Sequence, residues 1–308
     1  MRIVSLVPAG TEILFALGLE RDVVAVSHEC DYPMEVNTLP RLTRSVIGRA
    51  GLTSAAIDAA VSARKAEGAP LYDIDAEQLA SLAPDLILTQ GLCDVCALPS
   101  RAVRAALMRM SPRPPVVSLD GRNVDGVLES ILEIGRATRR DACAEALMST
   151  LRQRLARVAS AVRDRAPVPV VCLEWLDPPY ACGHWIPEMV QLAGGVDLLG
   201  RPGLPSVPMS WSSVKNANAP TIMAMPCGYT LERALREVEA VAQQTEWKEA
   251  VGEAAVYVAA GGRYFTRPGP RLVTGIELLA ASFHPDRVDW PLPTDGLCRW
   301  RLSRSKAS

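Results

Sequence analysis

The sequence predicts an α/β fold made of two similar lobes with mostly parallel sheets, joined by one long α-helix, with a ligand cleft between the lobes. Short apolar runs alternate with helical patterns in both halves, which is typical of a parallel sheet covered by helices. A stretch without proline and with helical spacing separates the halves. The two halves also show a weak internal repeat. Segments 82–88 and 218–224 each predict a helix end, an Ala-Pro break and a strand. The predicted divisions are an N-terminal lobe at 1–122, a linking helix at 123–166, a C-terminal lobe at 167–290 and an irregular tail at 291–308.

The N-terminal lobe begins with a predicted strand at 3–7 and a helix at 11–17, which Gly18 closes as a typical residue just past a helix end. The region between 28 and 73 shows no regular pattern and is predicted to be irregular. The remaining elements of this lobe are strands at 23–27, 86–89 and 116–119 and helices at 74–82 and 100–110.

The linking region repeats apolar side chains at helical spacing over 123–165, which predicts one long helix or two nearly collinear ones. Its face rich in arginine and glutamate is expected to be solvated. The C-terminal lobe is predicted to contain strands at 170–173, 221–225 and 255–259 and helices at 186–193, 210–217, 231–243 and around 275–283.

The composition is typical of a globular protein, with 49% hydrophobic residues, 22% charged residues and a net charge of −1. No polybasic run is present, so nucleic acid is not an expected partner. No segment has the roughly 18 uninterrupted apolar residues of a membrane span, so direct membrane insertion is not expected. Pro8 interrupts the first apolar run too early for a secretory signal. The predicted location is therefore cytoplasmic, or periplasmic if a leader was removed.

Most of the chemically reactive residues follow predicted strands, at the edge where open parallel sheets bind ligands. If the two lobes turn this edge towards each other, the loops meet in one cleft. The candidate ligand-binding residues of these loops and their neighbourhood are Pro8, Ala9, Thr11, His28, Glu29, Asp31, Tyr32, Gln90, Trp175, Tyr180, His184, Trp185, Trp211 and Tyr229.

Aromatic residues make up only 5% of the chain, yet several crowd the loops of the second lobe. Flat rings suit a large, flat, conjugated or amphipathic ligand. The alternative is that one or two of them merely pack between helix and sheet.

A candidate metal site combines Cys30, Cys93 and Cys96 with His28. Thiolates together with imidazole select zinc, iron–sulfur clusters or other thiophilic metals, and the spacing of Cys93 and Cys96 lets two thiolates reach one ion. Zinc or iron is therefore a candidate cofactor. Two alternatives stay open: a redox dithiol, or small buried side chains without chemistry. Cys182 and Cys227 also fall in the predicted cleft, whereas Cys172 is expected in the core.

Several enzyme signatures are absent from the sequence. It has no Gly-x-Gly-x-x-Gly after the first strand, no Walker phosphate loop, no Gly-x-Ser-x-Gly elbow and no His-Glu-x-x-His. No sequence motif therefore indicates a hydrolase or a dehydrogenase.

Three segments carry a family resemblance. They are the opening from Arg2 to Gly18 (RIVSLVPAGTEILFALG), the helix end Leu192-Ala193-Gly194-Gly195 and the segment that begins Arg267-Pro268-Gly269-Pro270-Arg271. They resemble the helical-backbone (class III) substrate-binding proteins of iron-siderophore and cobalamin ABC importers over about 2–285. The cobalamin-binding subfamily is nearest, through the Pro-Ala-Gly-Thr-Glu opening and the tryptophans of the second lobe.

The resemblance implies a non-catalytic protein that holds a small ligand between two rigid lobes. The implied ligand is a corrinoid such as cobalamin, a haem-like tetrapyrrole or a metal chelate. For a corrinoid we expect stacking on Trp175 or Trp185 and cobalt ligation by His28, Cys30 or another thiol of the cleft. An ABC permease is the implied partner if the chain is exported; otherwise the chain is expected to be a cytosolic relative that binds such a ligand. Because the predicted cleft is richer in cysteine than is usual for the family, the alternative is a cytosolic metal- or thiol-dependent enzyme that acts on a corrinoid or metal cofactor.

Overall fold

A computed structural model describes residues 1–48, 51–91, 100–108 and 110–301 of the chain. The chain divides into two compact units. Unit 1 comprises Met1–Leu52, Ala56–Arg152 and Arg267–Pro270, and unit 2 comprises Thr53–Ala55, Gln153–Thr266 and Arg271–Ser308.

The first part of the chain alternates strands and helices as predicted. Its elements are β1 (Ile3–Ser5), α1 (Pro8–Ala16), β2 (Val23–Val26), a 3₁₀ helix (Met34–Thr38), β3 (Thr43–Ser45), α2 (Ser54–Ala66), β4 (Tyr72–Ile74), α3 (Ala76–Ser81), β5 (Leu86–Thr89), α4 (Ser100–Leu107), β6 (Val116–Ser118), α5 (Val124–Thr138) and α6 (Asp141–Val162).

Unit 1 is built on a parallel sheet in the order β2-β1-β5-β6. The central strands β1 and β5 are buried along their whole length, as expected for a sheet covered on both faces. Pro8 opens α1, where its fixed φ suits the first helical turn, and Gly18 follows the helix with a φ of +71°. These elements place the loops after β1, β2 and β5 at the carboxyl edge of the sheet.

The region predicted to be irregular contains regular structure, and that prediction was wrong. It holds the 3₁₀ helix, the antiparallel pair β3–β4 and the helix α2. The strands of the pair have three residues each and include polar side chains, so they are too short to show an alternating pattern. Small alanines dominate α2, which leaves it with a weak apolar stripe.

The sequence left open whether the linking segment is one long helix or two; it forms the two helices α5 and α6. Arg139 ends α5 in the left-handed region with a φ of 58°, and the amide of Arg140 donates to the carbonyl of Gly135 at 2.7 Å. Gly135 is needed here: a Cβ on it would lie 2.5 Å from the Cβ of Ala144. The close approach of the two helices therefore requires glycine.

The second part of the chain contains β7 (Val168–Leu176), β8 (Pro179–Ala181), α7 (Ile186–Leu192), β9 (Gly195–Asp197), β10 (Val207–Pro208), α8 (Trp211–Ala217), β11 (Thr221–Ala224), α9 (Leu231–Val241), α10 (Thr245–Val251), β12 (Ala255–Ala259), α11 (Gly261–Tyr264), α12 (Leu272–Phe283) and β13 (Leu297–Trp300).

Unit 2 has a mixed sheet in the order β10-β8-β7-β11-β12-β13, and β9 pairs with the start of β7. Strands β7, β11 and β12 run parallel, whereas β8, β10 and β13 are antiparallel to their neighbours. The core contains the buried side chains of Leu173, Ile222 and Val258. The tail predicted to be irregular contributes β13, which the sequence hides because an arginine interrupts a four-residue strand.

The predicted α/β class is confirmed. Among the residues that the structure describes, no helix combines the length and the apolar character needed to cross a bilayer.

Candidate functional site

The carboxyl edge of the unit 1 sheet carries a buried thiol between two hydroxyl groups. The Cys30 sulfur lies 3.1 Å from Thr11 Oγ1 and 3.2 Å from Ser27 Oγ, and Cys30 is 1% exposed. Burial raises the pKa of the Cys30 thiol, although these hydroxyls oppose the shift. The thiol is therefore protonated at neutral pH and part of the interior, which is the packing alternative considered for it.

The predicted metal site is not supported where it can be examined. Within the described residues, no group of three His, Cys, Asp or Glu side chains could hold a metal ion. Cys30 contacts hydroxyl groups, and a protonated buried thiol is a poor metal ligand. Cys93 and Cys96 lie outside the described residues, so their predicted roles stay predictions.

His28 is oriented by the β3–β4 pair that the sequence did not reveal. Thr43 Oγ1 on β3 accepts a hydrogen bond from the His28 amide at 3.0 Å and lies 2.6 Å from His28 Nδ1. The ring of Tyr72 on β4 packs against the imidazole with a centroid distance of 5.3 Å. The Nε2 atom of His28 is 3.5 Å from Glu29 Oε1. The imidazole is thus held in one orientation by fixed neighbours.

Arg267 joins the same cluster from the distant end of the chain. Its guanidinium contacts both carboxylate oxygens of Asp31 and donates to the Glu29 carbonyl at 3.1 Å. Buried Glu12 lies 4.0 Å away. Burial alone would lower the pKa of Arg267, but the hydrogen bonds and charge of Asp31 and the nearby carboxylates raise it. Arg267 is therefore a permanent cation at this edge.

The remaining unit 1 candidates differ in accessibility. Pro8, Ala9 and Thr11 are buried in the first turns of α1, and Gln90 is buried just after β5. Tyr32 is exposed. Ligand contact by any of them stays a prediction, and Tyr32 is the most accessible of the five.

In unit 2, Trp175 near the end of β7 and Tyr229 after β11 form an aromatic pair. Their ring centroids are 5.2 Å apart, with an edge-to-face angle of 60°. The Trp175 indole N–H donates to the Ser54 carbonyl at 3.1 Å, and Ser54 Oγ lies 3.4 Å from the Tyr229 hydroxyl. Both rings are thus fixed through Ser54, the first residue of α2.

Two charged residues of α9 contact Tyr229 of this aromatic pair and its neighbour Ser54. The guanidinium of Arg233 stacks 4.0 Å from the centre of the Tyr229 ring and donates to its hydroxyl at 3.2 Å. Glu237 Oε2 accepts from Ser54 Oγ at 2.8 Å. Burial raises the pKa of Tyr229, so its phenol stays protonated at neutral pH. Sequence reasoning missed Ser54, Arg233 and Glu237, although the four-residue spacing of Arg233 and Glu237 places them on one helix face.

The other predicted aromatics have different surroundings. Trp185 is buried and donates from Nε1 to the Phe265 carbonyl at 2.7 Å, and the ring of His184 lies 5.6 Å from it. Trp211 packs edge-to-face against Trp247 of α10, with centroids 5.2 Å apart. Half-buried Tyr180 lies on β8, opposite Trp175. Trp185 and Trp211 thus have packing roles in unit 2.

The two cysteines of the second lobe that were predicted to lie in the cleft differ in burial. Cys182 is fully buried beside Cys172, which corrects its predicted place in the cleft, and Cys172 is core as expected. Cys227 is half-buried, and its amide donates to the Glu174 carbonyl at 3.0 Å. Glu174 in turn accepts a hydrogen bond from Ser206.

A family model described as "Periplasmic binding protein" matches residues 3–260. The vitamin B12-binding protein of Vibrio cholerae serotype O1 is 22% identical over 289 residues, which cover 90% of this chain and 86% of that protein. A solved periplasmic haem-binding protein from Pseudomonas aeruginosa has a TM-score of 0.70 at 18% identity, and the match covers 97% of this chain and 98% of that chain. The solved periplasmic vitamin B12-binding protein of Vibrio cholerae has a TM-score of 0.66 at 21% identity, with 92% of this chain and 96% of that chain covered. With most of its length matched by the family model, the chain belongs to the periplasmic binding protein family.

Proposed function

We propose that the protein is a non-catalytic substrate-binding protein that holds a corrinoid such as cobalamin. The family match over residues 3–260 carries this proposal. The vitamin B12-binding protein of Vibrio cholerae, which aligns with most of this chain, supports a corrinoid as the ligand.

The unit 2 contribution to the proposed site is the pair Trp175 and Tyr229. A fixed edge-to-face pair offers apolar ring surface to a flat macrocycle at a low cost in side-chain entropy, because both rings are already held by hydrogen bonds. Arg233 adds a cation beside the phenol, which suits a ligand that carries peripheral polar groups.

The unit 1 contribution is the polar loop after β2. His28 is the side chain that would coordinate cobalt, since imidazole is a common metal ligand and Thr43 fixes the orientation of the ring. Cys30 is not proposed as a ligand because its thiol is buried and protonated. Tyr32 and the charged groups around Asp31 are proposed to contact the periphery of the ligand.

Haem is the second candidate ligand. The solved neighbour from Pseudomonas aeruginosa is a periplasmic haem-binding protein, and the same combination of rings and imidazole suits an iron tetrapyrrole. A metal chelate of another kind is the third.

The compartment and the partner are also proposals. The proposed location is the cytoplasm, and cell fractionation tests it by comparing cytoplasmic and periplasmic extracts for the chain. If the chain is found in the periplasm, its proposed partner is an ABC permease that receives the ligand.

Titration of the purified protein with cyanocobalamin and with haemin tests the proposed function. We expect saturable binding of one of them at one ligand per chain, followed calorimetrically and by visible absorption. The ligand recovered after incubation should be chemically unchanged. Conversion of the ligand in the presence of a thiol would instead support the enzyme alternative, and saturable binding of neither ligand would refute the proposal.

Trp175→Ala sharpens this test. Removal of one stacked ring is expected to weaken ligand binding at least about tenfold, which corresponds to roughly 1.4 kcal/mol. Trp290→Phe is the matched control, because Trp290 contacts Arg157 at a different place in unit 2. Equal affinities of the two variants would remove Trp175 from the proposed site.

A further inference from the structure

Strand register places two cysteines of unit 2 opposite each other. In the antiparallel pair β7–β8, Leu173 faces Ala181 and Leu176 faces Pro179. Cys172 precedes Leu173 by one residue and Cys182 follows Ala181 by one residue. The register shifts between Leu173 and Trp175, so the pairing of Leu173 with Ala181 is the one that extends to the cysteines. One residue further along each chain it brings Cys172 opposite Cys182, just past the end of β8, and opposite side chains of an antiparallel pair lie on the same face of the sheet.

The two thiols contact each other inside the core. Both residues are 0% exposed, and their side chains are joined by a hydrogen bond. The Cys172 thiol also hydrogen-bonds the carboxyl group of Asp197 on β9. Asp197 Oδ1 additionally accepts from the Cys172 amide at 3.4 Å and from the Leu199 amide at 3.3 Å. The arrangement is a dithiol with an adjacent carboxylate that can accept a proton.

We propose that Cys172 and Cys182 are a redox-sensitive pair that closes into a cross-strand disulfide between β7 and β8 when the chain meets a small-molecule disulfide. Closure removes one proton from each sulfur and two electrons from the pair, and one S–S bond forms. The oxidant, such as oxidised glutathione, takes up those electrons and protons as its own S–S bond breaks to give two thiols.

Burial of the two thiols determines when the disulfide can form. It raises the pKa of the Cys172 thiol to about 11 and that of Cys182 well above its usual range, so few thiolates exist in the packed core at neutral pH. Exchange requires a thiolate with access to the oxidant. The disulfide is therefore expected to form during folding or after local opening of β8. In the fully packed protein it should form slowly. In a reducing compartment the pair stays a dithiol.

The disulfide would act on the strand pair that carries two candidate ligand-binding residues. Trp175 and Tyr180 both lie between the two cysteines in the chain, on the connected ends of β7 and β8. A cross-link at the base of this hairpin limits the splaying of its strands. The inference itself concerns only unit 2, so failure of ligand binding would leave it intact.

Peptide mapping after refolding in a glutathione redox buffer tests the proposal. The full chain is unfolded with reductant, refolded with oxidised and reduced glutathione, alkylated in denaturant and digested. Trypsin leaves both cysteines in one peptide because no lysine or arginine lies between them, whereas cleavage after Glu174 separates them. We expect an unalkylated peptide, lighter than its reduced form by two hydrogen atoms, whose halves stay linked after cleavage at Glu174 and separate on reduction.

A parallel arm incubates folded protein with oxidised glutathione in mild denaturant, so the test does not depend on refolding. Complete alkylation of both cysteines in both arms would overturn the proposal, as would a link from either cysteine to a different partner. Cys143→Ser is the control variant, because Cys143 is exposed on α6 and should not affect the link. The oxidised protein should melt about 5 °C above the reduced protein, and Cys182→Ala should abolish this difference.

Discussion

The two sheet edges of this protein carry opposite kinds of chemistry. The edge of unit 1 is polar and charged, with His28 held by Thr43 and Asp31 held by Arg267. The edge of unit 2 is aromatic, with Trp175 packed on Tyr229. Two units of related α/β architecture thus present different surfaces at equivalent strand ends. A shared fold therefore does not determine the chemistry of its ligand-binding edge.

The two edges also differ in how the chain supports them. The charged cluster of unit 1 depends on Arg267, which lies more than two hundred residues after its partner Asp31. The aromatic pair of unit 2 depends on Ser54 and on α9. In both cases a segment from a distant part of the sequence holds the candidate residues in place. The substitutions below should therefore distinguish the contribution of the charged contacts from that of the aromatic contacts.

Arg267→Ala should have the largest effect. It removes the buried cation beside Asp31 and leaves the buried carboxyl group of Glu12 without that charge, so the free energy of unfolding should fall by about 3 kcal/mol. Urea denaturation measures the change. Arg44→Ala is the matched control, because the exposed pair of Arg44 with Asp73 should contribute less than about 1 kcal/mol. Equal losses for the two variants would contradict the role assigned to Arg267.

Asp197 should make the stability of unit 2 depend on pH. Burial raises its pKa to about 6 in the folded protein, compared with about 3.9 in the unfolded chain. The folded state therefore holds a proton that the unfolded chain has lost between these values, and the free energy of unfolding should fall by about 2 kcal/mol as the pH rises from about 4 to 6. Denaturation across this range should show the slope in the native protein but a flatter profile in Asp197→Asn. An unchanged slope in the variant would assign the effect to other groups.

Tyr229→Phe should have a smaller effect, of about 1.5 kcal/mol on stability. The change keeps the ring against Trp175 but removes the hydroxyl that contacts Ser54 and Arg233. Ligand affinity should fall less than in Trp175→Ala, since the stacking surface remains. Tyr257→Phe on β12 is the control, and an equal loss there would mean that the hydroxyl contacts of Tyr229 contribute nothing specific.

Thr43→Val should have the smallest effect on stability, about 1 kcal/mol. It keeps the shape of the side chain but removes the oxygen that contacts the amide and Nδ1 of His28. Cobalamin affinity should decrease as well if His28 orientation matters for binding. Thr150→Val, at an exposed position of α6, provides the comparison. A Thr43 variant with unchanged affinity would exclude this orientation effect.

The sequence predicted the elements whose patterns are long or buried. Strand β5 at Leu86–Thr89 and strand β12 at Ala255–Ala259 were predicted with their observed bounds, since both are continuous apolar runs. The pair β3–β4 was missed because its strands are short and partly polar. The break between α5 and α6 was not located, because a single left-handed arginine leaves the helical spacing on either side unchanged.

The candidate site was predictable only in part. Residues that follow predicted strands, such as His28 and Trp175, could be chosen from strand order alone, although β7 extends further than predicted and includes Trp175. Arg267 and Ser54 could not be placed, because their contacts depend on chain segments that return from far along the sequence. Trp185 shows the converse limit: the sequence identifies an aromatic residue, but only the structure shows that its ring is buried in the core.

Hydrogen–deuterium exchange with and without bound cobalamin tests most directly whether both edges serve one ligand. We expect the ligand to protect two separate peptides, one around His28 to Tyr32 in unit 1 and one around Trp175 to Tyr180 in unit 2. Haemin takes the place of cobalamin if it is the ligand that binds. Protection confined to one of these peptides, or found only elsewhere in the chain, would contradict the ligand contacts proposed for the two sheet edges.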